Sequence, residues 1–212
     1  MAIDFAALFQ RVLDILTAPR RTWRVIRSEP DRGKQLVTKY VLLLALIPSV
    51  CGFVGVIVFD SRFSFGDRFS FSLMSAIFKL GIFVGSVFIL GWLTDAMAPS
   101  FDANRSRNNS MKLAAYSSTP VWVAGFVTLV PKLTVLAVVA GFGYAIYIYR
   151  IGAQELLDSP KENSLRFSIS AVATWFVFTL VTTWIILQIT GLFFAPAMIL
   201  EGIGRPPAAP LY

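Results

Sequence analysis

The chain of 212 residues contains no histidine and a single cysteine, Cys51. Without histidine, neither a Ser-His-Asp nor a Cys-His nucleophilic site can be built. Histidine-ligated haem and zinc sites made from histidine and cysteine are excluded for the same reason. One cysteine cannot close a disulfide within the chain, so we interpret Cys51 as a small packing residue. We therefore expect no catalytic, cofactor-binding or metal-binding residues, and a protein that is not an enzyme.

Charge is scarce as well. Charged residues make up 15% of the chain and hydrophobic residues 56%, whereas a soluble domain has about 25% charged residues. The excess apolar surface must therefore face lipid. Residues 1–4 lack a basic n-region, and we expect no cleaved signal peptide. The net charge of +7 comes from basic residues beside apolar segments, where membrane topology places them, so we expect no nucleic-acid partner.

Five long apolar segments predict five transmembrane helices. They are Leu36–Phe59, Phe69–Thr94, Leu113–Val130, Leu133–Tyr149 and Phe167–Leu200. Because a span requires about 20 residues, the third and fourth segments are short, and the Pro131-Lys132 turn between them must be tight. They form either a hairpin that crosses the membrane or a re-entrant pair that stops short of the far side. The fifth segment is too long for one straight span, so we expect a bend or an end near Gly191 or Pro196.

The basic residues predict the orientation. Fourteen of them precede the first span or follow the second and fourth spans, and four lie on the other side. Because basic residues are enriched on the cytoplasmic side, we expect a cytoplasmic N-terminus and a C-terminus outside. The prediction is an all-α, polytopic membrane protein with three parts. They are a cytoplasmic segment at 1–35, a five-helix transmembrane domain at 36–200 and a Pro-rich tail at 201–212.

The cytoplasmic segment contains an amphipathic helix. From Ile3 to Thr17 the polar residues share one arc of the helix, with apolar residues opposite. Pro19 begins a second short helix. This pair of helices lies either on the anionic inner leaflet or on the protein's own cytoplasmic loops, and we favour the leaflet. The residues expected to contact the lipid surface are Arg20, Trp23, Arg24 and Arg27.

Lys79 is the one charged residue inside the second apolar segment. A charge at this depth costs about 2.5–3.5 kcal/mol on insertion scales. Either its side chain extends toward the outer surface, or it lines a polar cavity. Asp95 lies near the opposite end of the same helix, so we expect it to pair with Lys112 or Arg105 instead. Because no other carboxylate lies deep in a span, we expect neither a carboxylate pair nor a proton relay.

The third segment contains a polar run from Tyr116 to Pro120. Proline leaves the carbonyl of Tyr116 without its helical donor, so we predict a kink, with the polar wall facing the bundle interior. We expect this wall to pair with Tyr144 or with backbone near Gly141. The candidate internal polar site consists of Lys79, Tyr116, Thr119, Pro120 and Tyr144. Elsewhere, small residues at Gly81 and Gly85, and at Ala137, Gly141 and Ala145, predict close helix packing, either inside the protein, which we favour, or between two copies.

Several strings resemble the Yip1-domain membrane proteins. They are Ala115-Tyr116-Ser117-Ser118-Thr119-Pro120-Val121-Trp122, Val130-Pro131-Lys132-Leu133, and Tyr144-Ala145-Ile146-Tyr147 with Gly152. Ile15-Leu16, Pro19 and Trp23 are similar to the start of bacterial members. The resemblance covers most of residues 8–165 and implies five transmembrane helices, a cytoplasmic N-terminus and a bacterial inner membrane location. Eukaryotic members associate with Rab-type GTPases through a longer cytoplasmic region, which this chain lacks, so no GTPase partner is expected.

The resulting hypothesis is a non-enzymatic inner-membrane protein that organises the membrane or acts as an accessory scaffold. It would bind lipids of the anionic inner leaflet, a partner protein or a second copy of itself. The alternative is a small transporter or channel whose path is lined by Lys79 and the Tyr116–Pro120 kink. A membrane enzyme is the least favoured reading, because it requires the carboxylates on the cytoplasmic side to meet in one place.

Overall fold

The computed structural model describes residues 5–30, 36–59 and 65–204, which form helices and connecting turns without any strand. The helices are α1 (Phe5–Thr17), α2 (Pro19–Ser28), α3 (Leu42–Phe59), α4 (Phe65–Met97), α5 (Arg107–Ser117), α6 (Thr119–Ala124), α7 (Thr134–Leu156) and α8 (Lys161–Gly204). A π-helical turn at Val37–Val41 precedes α3, and 3₁₀ turns occupy Ala98–Phe101, Gly125–Leu129 and Pro131–Leu133.

Four helical stretches of the described residues are long and apolar enough to cross a membrane. They are Lys39–Phe59, Arg68–Phe101, Thr134–Leu156 and Lys161–Thr190. The prediction of an all-helical, polytopic membrane protein is therefore confirmed. The third predicted span is not among the four, because α5 ends at Ser117 and α6 restarts at Thr119 with Pro120 in its first turn. The break predicted at Pro120 is confirmed, since proline has no N–H to continue the ladder.

The broken third segment forms an antiparallel hairpin with α7. A Cβ built on Gly152 would lie 2.5 Å from Leu113 Cδ1, and one on Gly141 would lie 3.1 Å from Val121 Cα. At the turn of the hairpin, a Cβ on Gly55 of α3 would lie 3.0 Å from the carbonyl oxygen of Thr128. The two limbs thus cover the same height beside α3, and either both cross the membrane or neither does.

Helix α8 is continuous from Lys161 to Gly204. An end of the helix near Gly191 or Pro196 is therefore wrong, because an apolar transmembrane helix tolerates proline where neighbouring groups satisfy the freed carbonyl. A bend at these residues stays a prediction. The predicted tail at 201–212 is helical through Gly204, and its remainder at 205–212 lies outside the described residues.

Helices α1 and α2 pack on one end of the bundle, which we call the near end. We call the opposite end, where α3 stops at Phe59, the far end. Ile15, Trp23 and Ile26 of the N-terminal pair are fully buried and belong to the same hydrophobic core as the bundle helices. The described part of the N-terminal segment is therefore packed against the transmembrane helices.

Glycines permit close packing at positions other than Gly81 and Gly85. A Cβ on Gly125 would lie 2.6 Å from Pro48 Cβ, so α3 and the broken segment touch there because glycine has no side chain. Around Gly81 and Gly85 no atom of the described residues lies within 4 Å of a built Cβ, so internal packing at this pair is wrong, and a contact between two copies stays a prediction. At Gly141 the predicted packing is confirmed. Cys51 is buried, as its interpretation as a packing residue requires.

Candidate functional site

The polar run of the third segment builds a buried hydrogen-bond chain. Residues 116–119 are all buried. Thr119 Oγ1 donates to the carbonyl of Tyr116 over 2.7 Å, which is the carbonyl that Pro120 leaves without a helical donor. The single hydroxyl proton of Thr119 is then used, so the Tyr40 hydroxyl, 2.7 Å away, donates to Thr119. The prediction that this wall faces the interior is confirmed.

The partner of the wall is Tyr40 and not Tyr144. Tyr144 is 38% exposed, and its hydroxyl donates to the carbonyl of Leu16 at the end of α1. Pairing of Tyr144 with the wall is therefore wrong. Sequence reasoning missed Tyr40 because it lies 79 residues before Thr119, at the start of another segment, where no local pattern marks it.

Tyr116 is the point where four parts of the chain meet. Its ring lies 4.6 Å from the ring of Tyr40 and 6.0 Å, edge-on, from that of Trp23. The guanidinium of Arg11 lies over the ring at 6.0 Å from its centroid, a cation–π distance. Helices α1 and α2 therefore both contact Tyr116, through Arg11 and Trp23 respectively.

Helix α2 is fastened to the near end by its tryptophan and its arginines. Trp23 is fully buried and its Nε1 donates to the carbonyl of Ile148 over 3.2 Å. Arg27 donates to the carbonyl of Glu155 and to both carboxylate oxygens of Asp158, at 2.8 and 3.3 Å. This pair lowers the pKa of the Asp158 carboxyl and raises that of Arg27.

Two further contacts hold the end of α2. Lys112 of α5 donates to the carbonyl of Glu29 over 2.8 Å, so a cation caps the C-terminal end of the helix, where the helix dipole favours it. The carboxylate of Glu29 pairs with Arg11 of α1. Docking of the N-terminal pair on the protein itself, the reading we favoured less, thus describes much of α2.

The residues predicted to contact the lipid surface therefore differ in how far the protein itself buries them. Trp23 is fully buried within the protein, so it is not presented to a surface as predicted. Arg27 pairs with Asp158, yet half of its side chain is exposed, so its contact with lipid stays a prediction. Arg24 lies 3.7 Å from Glu155 and is largely exposed, and Arg20 is exposed. Lipid binding by Arg20 and Arg24 stays a prediction.

Helix α1 has two apolar faces. One face contributes Val12 and Ile15 to the core. The other presents Phe5, Phe9 and Leu13, spaced four residues apart, with 66%, 65% and 38% of each residue exposed. The polar side chains of Gln10 and Asp14, which are joined by a hydrogen bond, lie on the opposite side of the helix from both apolar faces. Only a surface other than the bundle can cover the second face.

The contacts with α7 give the height of α1. Tyr144, which reaches Leu16 at the end of α1, precedes the end of α7 by 12 residues, or about 18 Å at 1.5 Å per residue. The neighbouring Tyr147 ring stacks on Tyr144 and is exposed. The second apolar face of α1 therefore lies beside a helix that is able to span the membrane.

Lys79 does not belong to this cluster. A Cβ built on Gly52 of α3 would lie 3.4 Å from the Lys79 ammonium nitrogen. On the same helix Thr94, whose hydroxyl contacts that of Tyr149 at the near end, is 15 residues or about 22 Å away. A single internal site that joins Lys79 to Tyr116 is therefore wrong.

The register of α3 and α4 shows where the Lys79 side chain extends. Arg68 of α4 donates to the carbonyl of Ile57 on α3. From this contact Lys79 lies 11 residues toward the near end on α4, whereas Gly52 lies only five residues toward the near end on α3. The Lys79 side chain therefore runs from its backbone toward the far end to reach Gly52. This geometry agrees with the interpretation of a lysine stretched toward the outer surface.

The carboxylates of the near end pair separately. Asp95 accepts from Arg105 at 2.9 Å, one of the two partners predicted for it. Asp102 accepts from Asn163, and Asp158 from Asn104 as well as Arg27. Within the described ranges, no three metal-binding side chains lie together. These bonds tie the loops of the near end to one another and to α2.

Comparison with known proteins agrees with the resemblance seen in the sequence. The family described as "Yip1 domain" matches residues 13–186. The inner membrane protein YohC of Escherichia coli strain K12 is 29% identical over 168 residues, which are 76% of this chain and 86% of that protein. The YohC protein of E. coli O6:H1 strain CFT073 is similar to the same extent. No solved structure matches the chain. Because the family match extends over most of its length, the protein belongs to the Yip1 domain family.

Proposed function

We propose that the protein is a non-enzymatic scaffold of the bacterial inner membrane, and that α1 is the element through which it organises the cytoplasmic leaflet. The observation that carries the proposal is the exposed apolar face of Phe5, Phe9 and Leu13, held at the level of a membrane-spanning helix. The names of the two similar proteins support the location, since both are inner membrane proteins.

Lipid is the occupant that fits this face. An amphipathic helix parallel to the membrane buries its apolar side about 5–10 Å into the boundary between headgroups and acyl chains. Arg20 and Arg21 are exposed where α2 begins, and among the described residues neither has a carboxylate partner. Arginines near an anionic leaflet contribute about 1 kcal/mol each. The apolar face and these two cations together fit an anionic phospholipid surface.

The docking of α1 distinguishes a scaffold from a free anchor. Its end is fixed by the bond from Tyr144 to Leu16, and Thr22 of α2 donates back to the carbonyl of Asp14 over 2.9 Å. A helix clamped in this way occupies one leaflet at a constant position beside the bundle. It would displace headgroups on one side of the membrane and so favour a particular local packing or curvature.

The topology that accompanies this proposal has five crossing segments, with the N-terminus in the cytoplasm and the C-terminus outside. Its support is the distribution of basic residues and the hairpin, whose limbs reach equal heights beside α3. Reporter fusions after Tyr212 should report the periplasm. A cytoplasmic signal would contradict the proposed orientation.

Spin labels test the insertion of α1 directly. In the full chain carrying Cys51→Ser, Phe9→Cys is labelled in vesicles containing anionic lipid, and Gln10→Cys is the matched neighbour. We expect the label at position 9 to be accessible to oxygen and shielded from a water-soluble nickel complex, and the label at position 10 to show the opposite. Equal nickel accessibility at both positions would refute insertion of α1.

Affinity purification from native membranes then tests the scaffold. The full chain should retain either a stoichiometric protein companion or anionic lipid, and Phe5→Ser with Phe9→Ser should reduce that retention. The alternative of a transporter lined by Lys79 predicts instead that Lys79→Met abolishes uptake of a solute while the serine variants leave it unchanged.

A further inference from the structure

Three hydrogen-bond donors in the half of the bundle toward the far end have no acceptor among the described residues. Ser75 of α4 is 6% exposed and Thr190 of α8 is fully buried, and neither hydroxyl has a partner there. Lys79 has neither an ion pair nor a hydrogen bond within the described part of the chain. All three are donors in need of an acceptor.

These two hydroxyls differ from the other buried hydroxyls on their helices. Ser72 and Ser86 of α4 donate to backbone carbonyls three residues earlier, and Thr179 of α8 donates to one four residues earlier. Such local bonds are the usual way in which a hydroxyl is satisfied in a membrane helix. Ser75 and Thr190 make no such bond, so their hydroxyls remain available to another group.

The three donors lie at similar heights. Ser75 precedes Lys79 by four residues and therefore shares its face of α4. Near the other end, the Phe101 and Phe167 rings stack at 5.1 Å, and from there α4 and α8 run antiparallel and pack together. Ser75 lies 26 residues before Phe101, and Thr190 lies 23 residues after Phe167. Both are thus about 35–39 Å from that contact.

Gly52 leaves room for a ligand at the ammonium group. The nearest atom to a Cβ built on Gly52 is the Lys79 nitrogen, at 3.4 Å, and no other atom from the parts of the chain that the structure describes is found within 4 Å. A larger side chain at this position would fill the space beside the cation. Gly52 precedes the end of α3 by seven residues, or about 10 Å, a depth that headgroups reach where a bilayer thins around a charged side chain.

We propose that Lys79, Ser75 and Thr190 bind the oxyanion of a phosphate group near the far end of the bundle. One cation and two hydroxyl donors offer charge-assisted hydrogen bonds and no competing acceptor, which is the chemistry that phosphate requires. The phosphate comes either from a phospholipid headgroup or from solution. This site lies at the other end of the bundle from α1, so the two proposals stand or fall separately.

The test uses the full chain in nanodiscs of zwitterionic lipid. One arm adds phosphatidylglycerol and measures retained lipid by native mass spectrometry, and the other adds inorganic phosphate and measures thermal stabilisation. Lys79→Met removes the cation, Lys79→Arg keeps it, and Lys132→Met is the control, because it removes an exposed lysine at the hairpin turn. Loss of a charge-assisted bond should weaken binding about tenfold or more in Lys79→Met alone.

The arms identify the source of the phosphate. Lys79-dependent retention of phosphatidylglycerol assigns the site to a headgroup, and Lys79-dependent stabilisation by phosphate assigns it to a free anion. Should Lys79→Met fail to fold, Gly52→Leu and the pair Ser75→Ala with Thr190→Val make the same test, and each should weaken binding severalfold. Binding that is unchanged in the variants that fold, in both arms, overturns the proposal.

Discussion

Replacing Thr119 with valine tests the buried chain at the centre of the near end. In the structure the Thr119 hydroxyl donates to the carbonyl of Tyr116 and accepts from Tyr40. Thr119→Val keeps the shape of the side chain and removes both bonds, so a carbonyl and a phenol remain buried without partners. Each bond contributes about 0.5–1.5 kcal/mol, and an unpaired buried group costs about 1–3 kcal/mol. We expect a loss of about 2–4 kcal/mol in the free energy of unfolding.

Two single substitutions provide reference values for the loss expected in Thr119→Val. Tyr40→Phe removes one donor and leaves the bond from Thr119 to Tyr116 intact, so it should cost about 0.5–1.5 kcal/mol. Tyr116→Phe should be nearly neutral, because the Tyr116 hydroxyl has no partner in the described part of the chain. In the double variant of Tyr40 and Thr119 the costs should not add, since the two residues share one bond.

The assay is equilibrium unfolding in mixed micelles with increasing denaturing detergent, followed by intrinsic fluorescence and compared among the variants at one protein concentration. The expected order of stability is wild type and Tyr116→Phe, then Tyr40→Phe, then Thr119→Val. If Thr119→Val were no less stable than Tyr40→Phe, the carbonyl freed by Pro120 would not depend on the threonine, and the reasoning would be refuted.

Four further substitutions test the near end and the packing of the helices. Trp23→Ala should cost about 3–5 kcal/mol, the usual cost for a buried tryptophan, and should expose α2 to protease in limited digestion. The pKa of Asp158 in the folded protein is lowered, so its pair with Arg27 stabilises the near end at pH values above the ordinary pKa of 3.8. This stabilisation is lost as the pH falls through the folded pKa, and protease sensitivity should then rise. Asp158→Asn should remove this dependence on acid. Gly125→Ala should cost about 1–3 kcal/mol by overpacking, whereas Gly81→Ala, with open space around it, should leave the melting temperature unchanged.

The sequence predicts those features that depend on neighbours along the chain. Apolar runs predict four helices that the structure shows to be long enough to span a membrane, and Pro120 predicts the break between α5 and α6. The pairing of Asp95 with Arg105 is also local, across ten residues. In each case the deciding interaction is a backbone hydrogen bond, a length or a charge within a few helical turns.

Contacts between distant segments depend on packing and cannot be predicted from neighbours along the chain. Tyr40 and Trp23 both meet at Tyr116, yet nothing in the spacing of either residue marks the other. Gly81 and Gly85 have the spacing that favours close helices, whereas the close approach occurs at Gly125, where Pro48 lies opposite. A small residue permits a close contact, but the packing of the whole bundle determines which residue lies opposite it.

The N-terminal pair shows most clearly why an amphipathic pattern leaves its partner undetermined. A helix that buries apolar side chains in protein and one that buries them in lipid gain the same apolar transfer free energy, about 25 cal/mol per Å², so periodicity cannot distinguish them. Helix α1 has both surfaces, since Ile15 is in the core and Phe9 is exposed. Polar groups make the difference: Trp23 has an acceptor in Ile148 and Arg27 has one in Asp158, and these bonds hold α2 on the bundle while the face of Phe9 remains exposed for the membrane.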